Sequence, residues 1–121
     1  MAKKVLIAED EPNIAVSLEF LLEQSGYEIR TVADGEEALR LAREFRPDLM
    51  LLDIMLPLRN GFQVCQLVRE APELSPMKII MLTAKGRDTE VAKGLALGAD
   101  AYITKPFATK ELLDTIKRLL E

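Results

Sequence analysis

The sequence predicts an α/β fold in which helices cover both faces of a parallel sheet. Short apolar runs typical of strands alternate with stretches of helical period, and the alternation continues to the end of the chain. Successive strand–helix units of this kind form parallel strands joined by right-handed crossovers. The first and third runs are apolar nearly throughout, which indicates strands buried on both faces. We therefore predict a doubly wound sandwich, with residues 1–121 forming a single domain.

Each element has its own signal in the sequence. The predicted strands are residues 5–8, 28–32, 49–52, 78–82 and 101–103. Apolar residues three and four apart predict helices over residues 14–22, 38–45, 64–71 and 112–120. The pattern over residues 87–97 is weaker because Gly94 interrupts it, and glycine costs about 1 kcal/mol relative to alanine in a helix.

Helix starts are marked by capping and proline signals. Pro12 suits the first turn of a helix capped by Asp10 or Glu11. Asp34 followed three residues later by Glu37 resembles a capping box at the start of the second helix.

Composition excludes several classes of function. The net charge of −4, from 16 basic and 20 acidic residues, argues against nucleic acid as a direct ligand. A chain with no histidine has no Ser-His-Asp triad, no imidazole zinc site and no phosphohistidine of its own. The single cysteine, Cys65, cannot form an internal disulfide and is predicted to be a small apolar residue on a helix face. With no secretory signal and no apolar run long enough to span a bilayer, we expect a cytoplasmic domain that does not contact membranes.

Polar residues follow four of the five predicted strands. In an open parallel sheet, ligands bind outside the carboxyl ends of the strands, so these side chains are expected at one edge. They are Glu9 and Asp10 after the first strand, Asp53 after the third, Thr83 after the fourth, and Lys105 with Pro106 after the fifth.

The three carboxylates predict a site for a hard cation. Glu9, Asp10 and Asp53 repel one another when close together, and Lys105 with a divalent ion formally balances their charge. Oxygen ligands without histidine or a suitable cysteine favour Mg²⁺. The acidic first loop, which continues through Glu11, repels phosphate unless a metal intervenes. It therefore disfavours a dinucleotide or flavin site.

Taken together, these residues resemble the receiver domains of two-component response regulators. The matching motifs run in order along essentially the whole chain, which makes the resemblance highly specific. They are the acidic pair Glu9-Asp10, Asp53 within the segment 53–61, Thr83-Ala84 and Lys105-Pro106-Phe107. The resemblance, in particular to the single-domain chemotaxis regulator type, implies a flavodoxin-like fold with strand order 2-1-3-4-5. It also implies a phosphorylation-dependent signalling switch rather than an enzyme.

The resemblance also implies a role for each site residue. Asp53 would accept a phosphoryl group from the phosphohistidine of a sensor histidine kinase or phosphotransfer protein, and Thr83 and Lys105 would hold the phosphoryl oxygens. Asp10, Asp53 and the backbone carbonyl of Met55 would ligate Mg²⁺, with Glu9 acting through a water molecule. The Lys105–Pro106 bond is expected to be cis. Thr83 and Tyr102 would form the switch, and the face made by the fourth helix, fifth strand and fifth helix would contact a downstream target or a second copy of the chain.

Simpler interpretations exist for each of these residues. Taken alone, Asp10 reads as a helix cap, Asp53 as a turn residue, Thr83 as a strand-end hydroxyl and Lys105 as a solvated surface lysine. Tyr102 reads as a half-buried strand aromatic. Residues that served only these separate purposes would seldom occur together at four strand ends and form a charge-balanced site.

Three alternative functions also remain open at the level of sequence. Phosphatases of the haloacid-dehalogenase type need a second carboxylate two residues after the nucleophile, where this chain has Met55. A flavodoxin-like electron carrier is disfavoured by the acidic first loop. The third alternative is the isolated receiver part of a longer DNA-binding regulator, since nothing after residue 121 can be read.

Overall fold

The predicted α/β sandwich is confirmed by the computed structural model, which describes residues 2–84 and 86–121. Five parallel strands form one sheet in the order β2-β1-β3-β4-β5, the flavodoxin-like arrangement. The elements are β1 (Lys4–Ala8), α1 (Pro12–Gln24), β2 (Glu28–Val32), α2 (Gly35–Phe45), β3 (Leu49–Asp53), α3 (Gly61–Glu70), β4 (Lys78–Ala84), α4 (Asp88–Ala96), β5 (Ala101–Lys105) and α5 (Thr109–Leu120).

The two faces of the sheet bury separate apolar cores. One core contains Leu6, Met50 and Met81 and lies under α2 and α3. The other contains Ile7 and Leu51 and lies under α1 and α5. Strand β3 is buried along its whole length and β1 along all but its first residue, as the apolar runs predicted. Helices on both faces of the sheet therefore hold β1 and β3 in place, and the carboxyl ends of these two strands carry the acidic residues.

Three strands continue further than the apolar pattern predicted. Asp53 pairs with Leu82, and Thr83 pairs with Thr104, so both are strand residues rather than residues of the following loop. Lys105 likewise ends β5. Backbone pairing does not require an apolar side chain, and the sequence pattern therefore ended each strand too early. The consequence is that three polar side chains are attached to a hydrogen-bonded sheet.

Of the two cap positions predicted for α1, Asp10 and Glu11, the structure has the second. Glu11 occupies the N-cap position without a side-chain hydrogen bond, and Asp10 lies one residue before it. Pro12 stands at the first helical position and has no N–H group to satisfy, which lowers the need for a cap. The capping interpretation of Asp10 is therefore wrong, and its carboxylate does not serve the helix.

Two other helices begin with side-chain caps. Asp34 accepts a hydrogen bond from the Glu37 amide at 2.8 Å, as predicted, but the Glu37 carboxylate accepts from Ala33 rather than from Asp34. The reciprocal capping box occurs instead between Asn60 and Gln63, at the start of α3. This box anchors the end of the loop that follows Asp53.

Gly94 has a packing role that the sequence did not reveal. A Cβ atom at this position would lie 3.3 Å from the Met81 Cγ atom of β4, closer than ordinary contact. The glycine that weakens α4 as an isolated helix therefore lets it approach the sheet closely.

Candidate functional site

An acidic cluster lies at the carboxyl ends of β1 and β3. These strands are neighbours, and the pairing of Ala8 with Leu52 brings the next residues, Glu9 and Asp53, side by side. Each of these two acids is only 2% exposed, whereas Asp10 is exposed. One carboxylate oxygen from each of the three lies within 4.8 Å of the others. Three acids thus form one compact group of oxygen ligands.

Lys105 supplies a positive charge to this cluster from the edge strand β5. Its Nζ atom lies 3.1 Å from Glu9 Oε1 and 3.3 Å from Asp53 Oδ2, and its side chain is 16% exposed. Burial alone would lower the pKa of Lys105, but the hydrogen bond to Glu9 and the charge of Asp53 outweigh it and raise the pKa. The lysine therefore stays charged, and it is not the solvated surface residue of the simpler interpretation.

Glu9 is the acid most perturbed by this environment. Burial, followed by its hydrogen bond with Asp53, raises the pKa of Glu9 to about 7 from an ordinary value of 4.5. The Glu11 amide, which donates to Glu9 Oε2 at 3.1 Å, and Lys105 oppose this rise. Burial, together with the neighbouring Asp53 carboxylate, thus makes the charged form of Glu9 costly, and added positive charge can relieve this cost.

The loop after β3 closes tightly over the Asp53 backbone. The Met55 amide donates to Asp53 Oδ1 at 3.1 Å, and the Gly61 amide donates to the Ile54 carbonyl at 2.9 Å. A Cβ atom at Gly61 would lie 2.6 Å from the Asp53 carbonyl oxygen, so only glycine permits this approach. The loop therefore fixes the orientation of the Asp53 carboxylate.

Thr83 lies one strand away, at the end of β4. It is buried, and its Oγ1 atom lies 3.4 Å from both the Ala84 carbonyl oxygen and the Glu90 Oε1 atom. Asp10, Asp53, Thr83 and Lys105 all line one open cleft of about 980 Å³. The four predicted strand ends therefore meet at a single site.

Comparison with known proteins identifies the family. Residues 5–117 match the family model of the response regulator receiver domain. The chain belongs to this family. Receiver domains are signalling domains that interact with histidine kinases or phosphotransfer proteins, and the acidic cluster described above lies where this receiver domain could hold a metal ion.

Solved structures agree in fold over whole chains. A protein from Chloroflexus aurantiacus assigned as a response regulator is 37% identical, with a TM-score of 0.96 over 99% of this chain and 98% of its own. The chemotaxis response regulator CheY4 of Vibrio cholerae is 34% identical, with a TM-score of 0.92 over 99% of this chain and 100% of its own. A sensor histidine kinase receiver domain from Pseudomonas aeruginosa is 31% identical, with a TM-score of 0.91 over 99% of this chain and 98% of its own, and it has a magnesium ion coordinated in its active-site cleft.

Two further predictions about this receiver domain can be compared with the structure. The Lys105–Pro106 peptide bond is cis, as predicted. Tyr102 lies in β5 and is 47% exposed, so its burial matches the half-buried strand aromatic of the simpler interpretation. It borders a separate groove with Leu95 and Arg118, on the face formed by α4, β5 and α5.

Glu90 and Arg87 line the cleft but were not found from the sequence. Both belong to the start of α4, where the chain turns back over the sheet edge after β4. In a strand–helix unit, the first helical turn lies close to the strand end that precedes it. Charged residues at the start of the helix that follows a site strand are therefore a signal that could have identified Arg87 and Glu90.

Across residues 2–84 and 86–121, every helix is too short or too polar to traverse a bilayer.

The raised pKa of Glu9 predicts a pH dependence of stability in metal-free protein. The folded state holds this proton more tightly than the unfolded chain, so the contribution is fully present below about pH 4.5 and is lost as the pH rises through about 7. The free energy of unfolding should fall across this range by at most about 1.4 kcal/mol per pH unit from this one group. Urea unfolding in the presence of EDTA should show that Glu9→Gln flattens the profile. The exposed Glu23→Gln should retain the wild-type slope, and equal slopes for Glu9→Gln and wild type would contradict the assignment.

Proposed function

We propose that Asp53 accepts a phosphoryl group from the phosphohistidine of a partner histidine kinase or phosphotransfer protein. One observation carries this proposal: a buried aspartate ends the central strand, 3.3 Å from a lysine amine and grouped with two further carboxylates at an open cleft. Residues 1–121 would act as one domain in this exchange, which we place in the cytoplasm.

The transfer itself requires positioning and charge neutralisation more than covalent assistance. An oxygen of the Asp53 carboxylate attacks phosphorus in line as the phosphorus–nitrogen bond breaks, and the electron pair stays on the imidazole nitrogen of the donor. A carboxylate nucleophile needs no general base, which suits a chain without histidine. The Met55 amide supports this step because its hydrogen bond to Asp53 Oδ1 orients the carboxylate, and Gly61 supports it indirectly by letting the loop close over the Asp53 backbone.

Lys105 and Thr83 would bind the transferred group. The Lys105 amine already lies against Asp53, and it can follow the negative charge onto the phosphoryl oxygens. The Thr83 hydroxyl, on the strand next to β3, would donate to another phosphoryl oxygen. These two donors are therefore the proposed phosphoryl ligands of the chain.

The donor set fits Mg²⁺. Oxygen atoms of Glu9, Asp10 and Asp53 cluster within 4.8 Å, and hard cations prefer such ligands. We assign direct ligation to Asp10, Asp53 and the Met55 carbonyl. Glu9 would act through a water molecule, because its Oε1 atom bonds Lys105 and its Oε2 atom accepts the Glu11 amide. The ion, when bound, supplies positive charge that relieves the carboxylate repulsion and favours an incoming phosphoryl group.

The output would pass through Thr83 and Tyr102. Tyr102 pairs with Met81, two residues before Thr83, so the two side chains leave the sheet on the same face. Movement of Thr83 toward a phosphoryl group would vacate space that Tyr102 can enter. The α4-β5-α5 face would then present the state of Asp53 to a downstream target or to a second phosphorylated copy, and not directly to nucleic acid.

We propose no enzymatic turnover beyond self-catalysed transfer and loss of the phosphoryl group. A phosphatase of the haloacid-dehalogenase type needs an acid two residues after its nucleophile. That position holds Met55, an apolar side chain that is 68% exposed.

Incubation with acetyl phosphate and Mg²⁺ tests the assignment of Asp53. Intact-protein mass spectrometry should show the addition of one phosphoryl group to the wild type and none to Asp53→Asn, because the amide is not a nucleophile. Asp114→Asn, which changes an exposed acid on α5, should be labelled like the wild type. Undiminished labelling of Asp53→Asn would refute the proposal.

A further inference from the structure

The Thr83 hydroxyl faces a carboxylate that none of the roles above explains. Glu90 is in the first turn of α4, and its Oε1 atom lies 3.4 Å from Thr83 Oγ1. Thr83 is 2% exposed, so the hydroxyl side of this contact is buried, while the Glu90 side borders the open cleft. Glu90 therefore offers the buried hydroxyl a charged acceptor within the domain.

The Glu90 carboxylate is held from its other side as well. Its Oε2 atom lies 3.5 Å from an Arg87 guanidinium nitrogen, and the side chain is 24% exposed. One oxygen thus faces the end of β4 and the other faces the β4–α4 loop. Glu90 lines the cleft that contains Asp53 and Lys105, and it also lines an adjoining cleft with Asp10.

We propose that Glu90 is a positioning residue that holds the Thr83 hydroxyl in the resting state and competes with the phosphoryl group for it. This inference rests on the proposed function, in which Thr83 donates to a phosphoryl oxygen. A threonine hydroxyl has one proton to donate, and in the resting state the Glu90 carboxylate and the Ala84 carbonyl, both 3.4 Å away, share it. The hydroxyl must leave these acceptors, of which Glu90 is the charged one, before it can bind the phosphoryl group. The added negative charge at Asp53 also repels the Glu90 carboxylate.

The competition links the phosphoryl site to α4. While Thr83 donates to Glu90, the end of β4 is connected to the first turn of α4 by a side-chain hydrogen bond. Release of Thr83 breaks that connection at the helix that borders the proposed output face. Glu90 thus biases the domain toward its resting conformation, and its removal should favour the phosphoryl-bound one.

Binding of beryllofluoride in the presence of Mg²⁺ tests the inference, because this probe mimics a phosphoryl group on a carboxylate. We expect Glu90→Ala to lower the dissociation constant, measured from amide NMR shifts, by about twofold, less than the effect of one ordinary hydrogen bond because the Thr83–Glu90 distance of 3.4 Å is long. Glu90→Gln keeps an oxygen acceptor and a good helix former, so its gain should be smaller. Asp88→Ala removes an exposed acid from the same helical turn and should leave the affinity unchanged.

A double-mutant cycle with Thr83→Ala separates this role from simple charge repulsion. If Glu90 acts through the hydroxyl, Glu90→Ala should gain clearly less when Thr83 is already alanine, because only the relief of charge repulsion then remains. The same gain in both backgrounds, or no gain in either, would overturn the inference.

The proposed function has its own readout in the same experiment. If wild type binds beryllofluoride and Asp53→Asn does not, an unchanged Glu90→Ala refutes only the role of Glu90. A wild type that fails to bind overturns both.

Discussion

Lys105→Met is expected to destabilise the metal-free domain by about 2 kcal/mol at pH 8. Loss of one partner from a buried ion pair costs about 3 to 5 kcal/mol because a charge is left uncompensated. The cost here is smaller because the Lys105 side chain keeps 16% exposure and Glu9, whose pKa is already raised to about 7, can take up a proton. Urea unfolding should therefore show a smaller loss at pH 5 than at pH 8.

A matched lysine on α5 provides the control. Lys110→Met removes a surface lysine that pairs with Asp114, four residues further along the helix, and little change in unfolding is expected. Labelling of Lys105→Met by acetyl phosphate should also be slower, because the phosphoryl group that is transferred to Asp53 loses its nearest cation. Wild-type stability at pH 8 together with wild-type labelling would show that Lys105 does not belong to the site.

Asp10→Asn is expected to remove most of the stabilisation that Mg²⁺ gives the wild type. A ligand that binds only the folded state stabilises it by about 2.7 kcal/mol at one hundred times its dissociation constant. Asp10 is the exposed member of the acidic cluster and the proposed direct ligand, so its loss should weaken binding most. Without metal, the variant should be slightly more stable than wild type, because one of three repelling charges is gone.

Thermal unfolding with increasing Mg²⁺ measures this effect directly. Asp114→Asn carries the same change of charge on an exposed part of α5 and should respond to Mg²⁺ like wild type. An Asp10→Asn variant with the wild-type response to Mg²⁺ would contradict the proposed ligand set.

The sequence predicted the order of elements and the edge at which the site forms. The spacing of apolar residues identifies the strands and helices. The general rule that the carboxyl ends of parallel strands lie at one edge of the sheet then gives the position of the site. The residues Glu9, Asp53, Thr83 and Lys105 could be placed together on that basis alone.

Strand ends and some details of the caps could not be predicted, because backbone pairing and neighbouring loops determine them. Asp53 and Lys105 continue their strands through ladder bonds that ignore side-chain polarity. Asp10 remained a candidate cap because the local sequence did not distinguish its position from that of Glu11, the residue that precedes Pro12 at the helix start.

Tertiary contacts between elements were also invisible to local patterns. Gly94 looked only like a helix breaker, although its missing side chain makes room for Met81. Glu90 was not singled out from the sequence, because its contact with Thr83 depends on where α4 packs against β4.

The location of the phosphoryl group tests the central claim most directly. After incubation with acetyl phosphate and Mg²⁺, borohydride reduction would convert a phosphorylated aspartate into homoserine, and tandem mass spectrometry of the digested protein would identify the modified residue. We predict homoserine at residue 53 and unmodified Glu9 and Asp10. Modification at Glu9, Asp10 or any other acid, with Asp53 unchanged, would contradict the account.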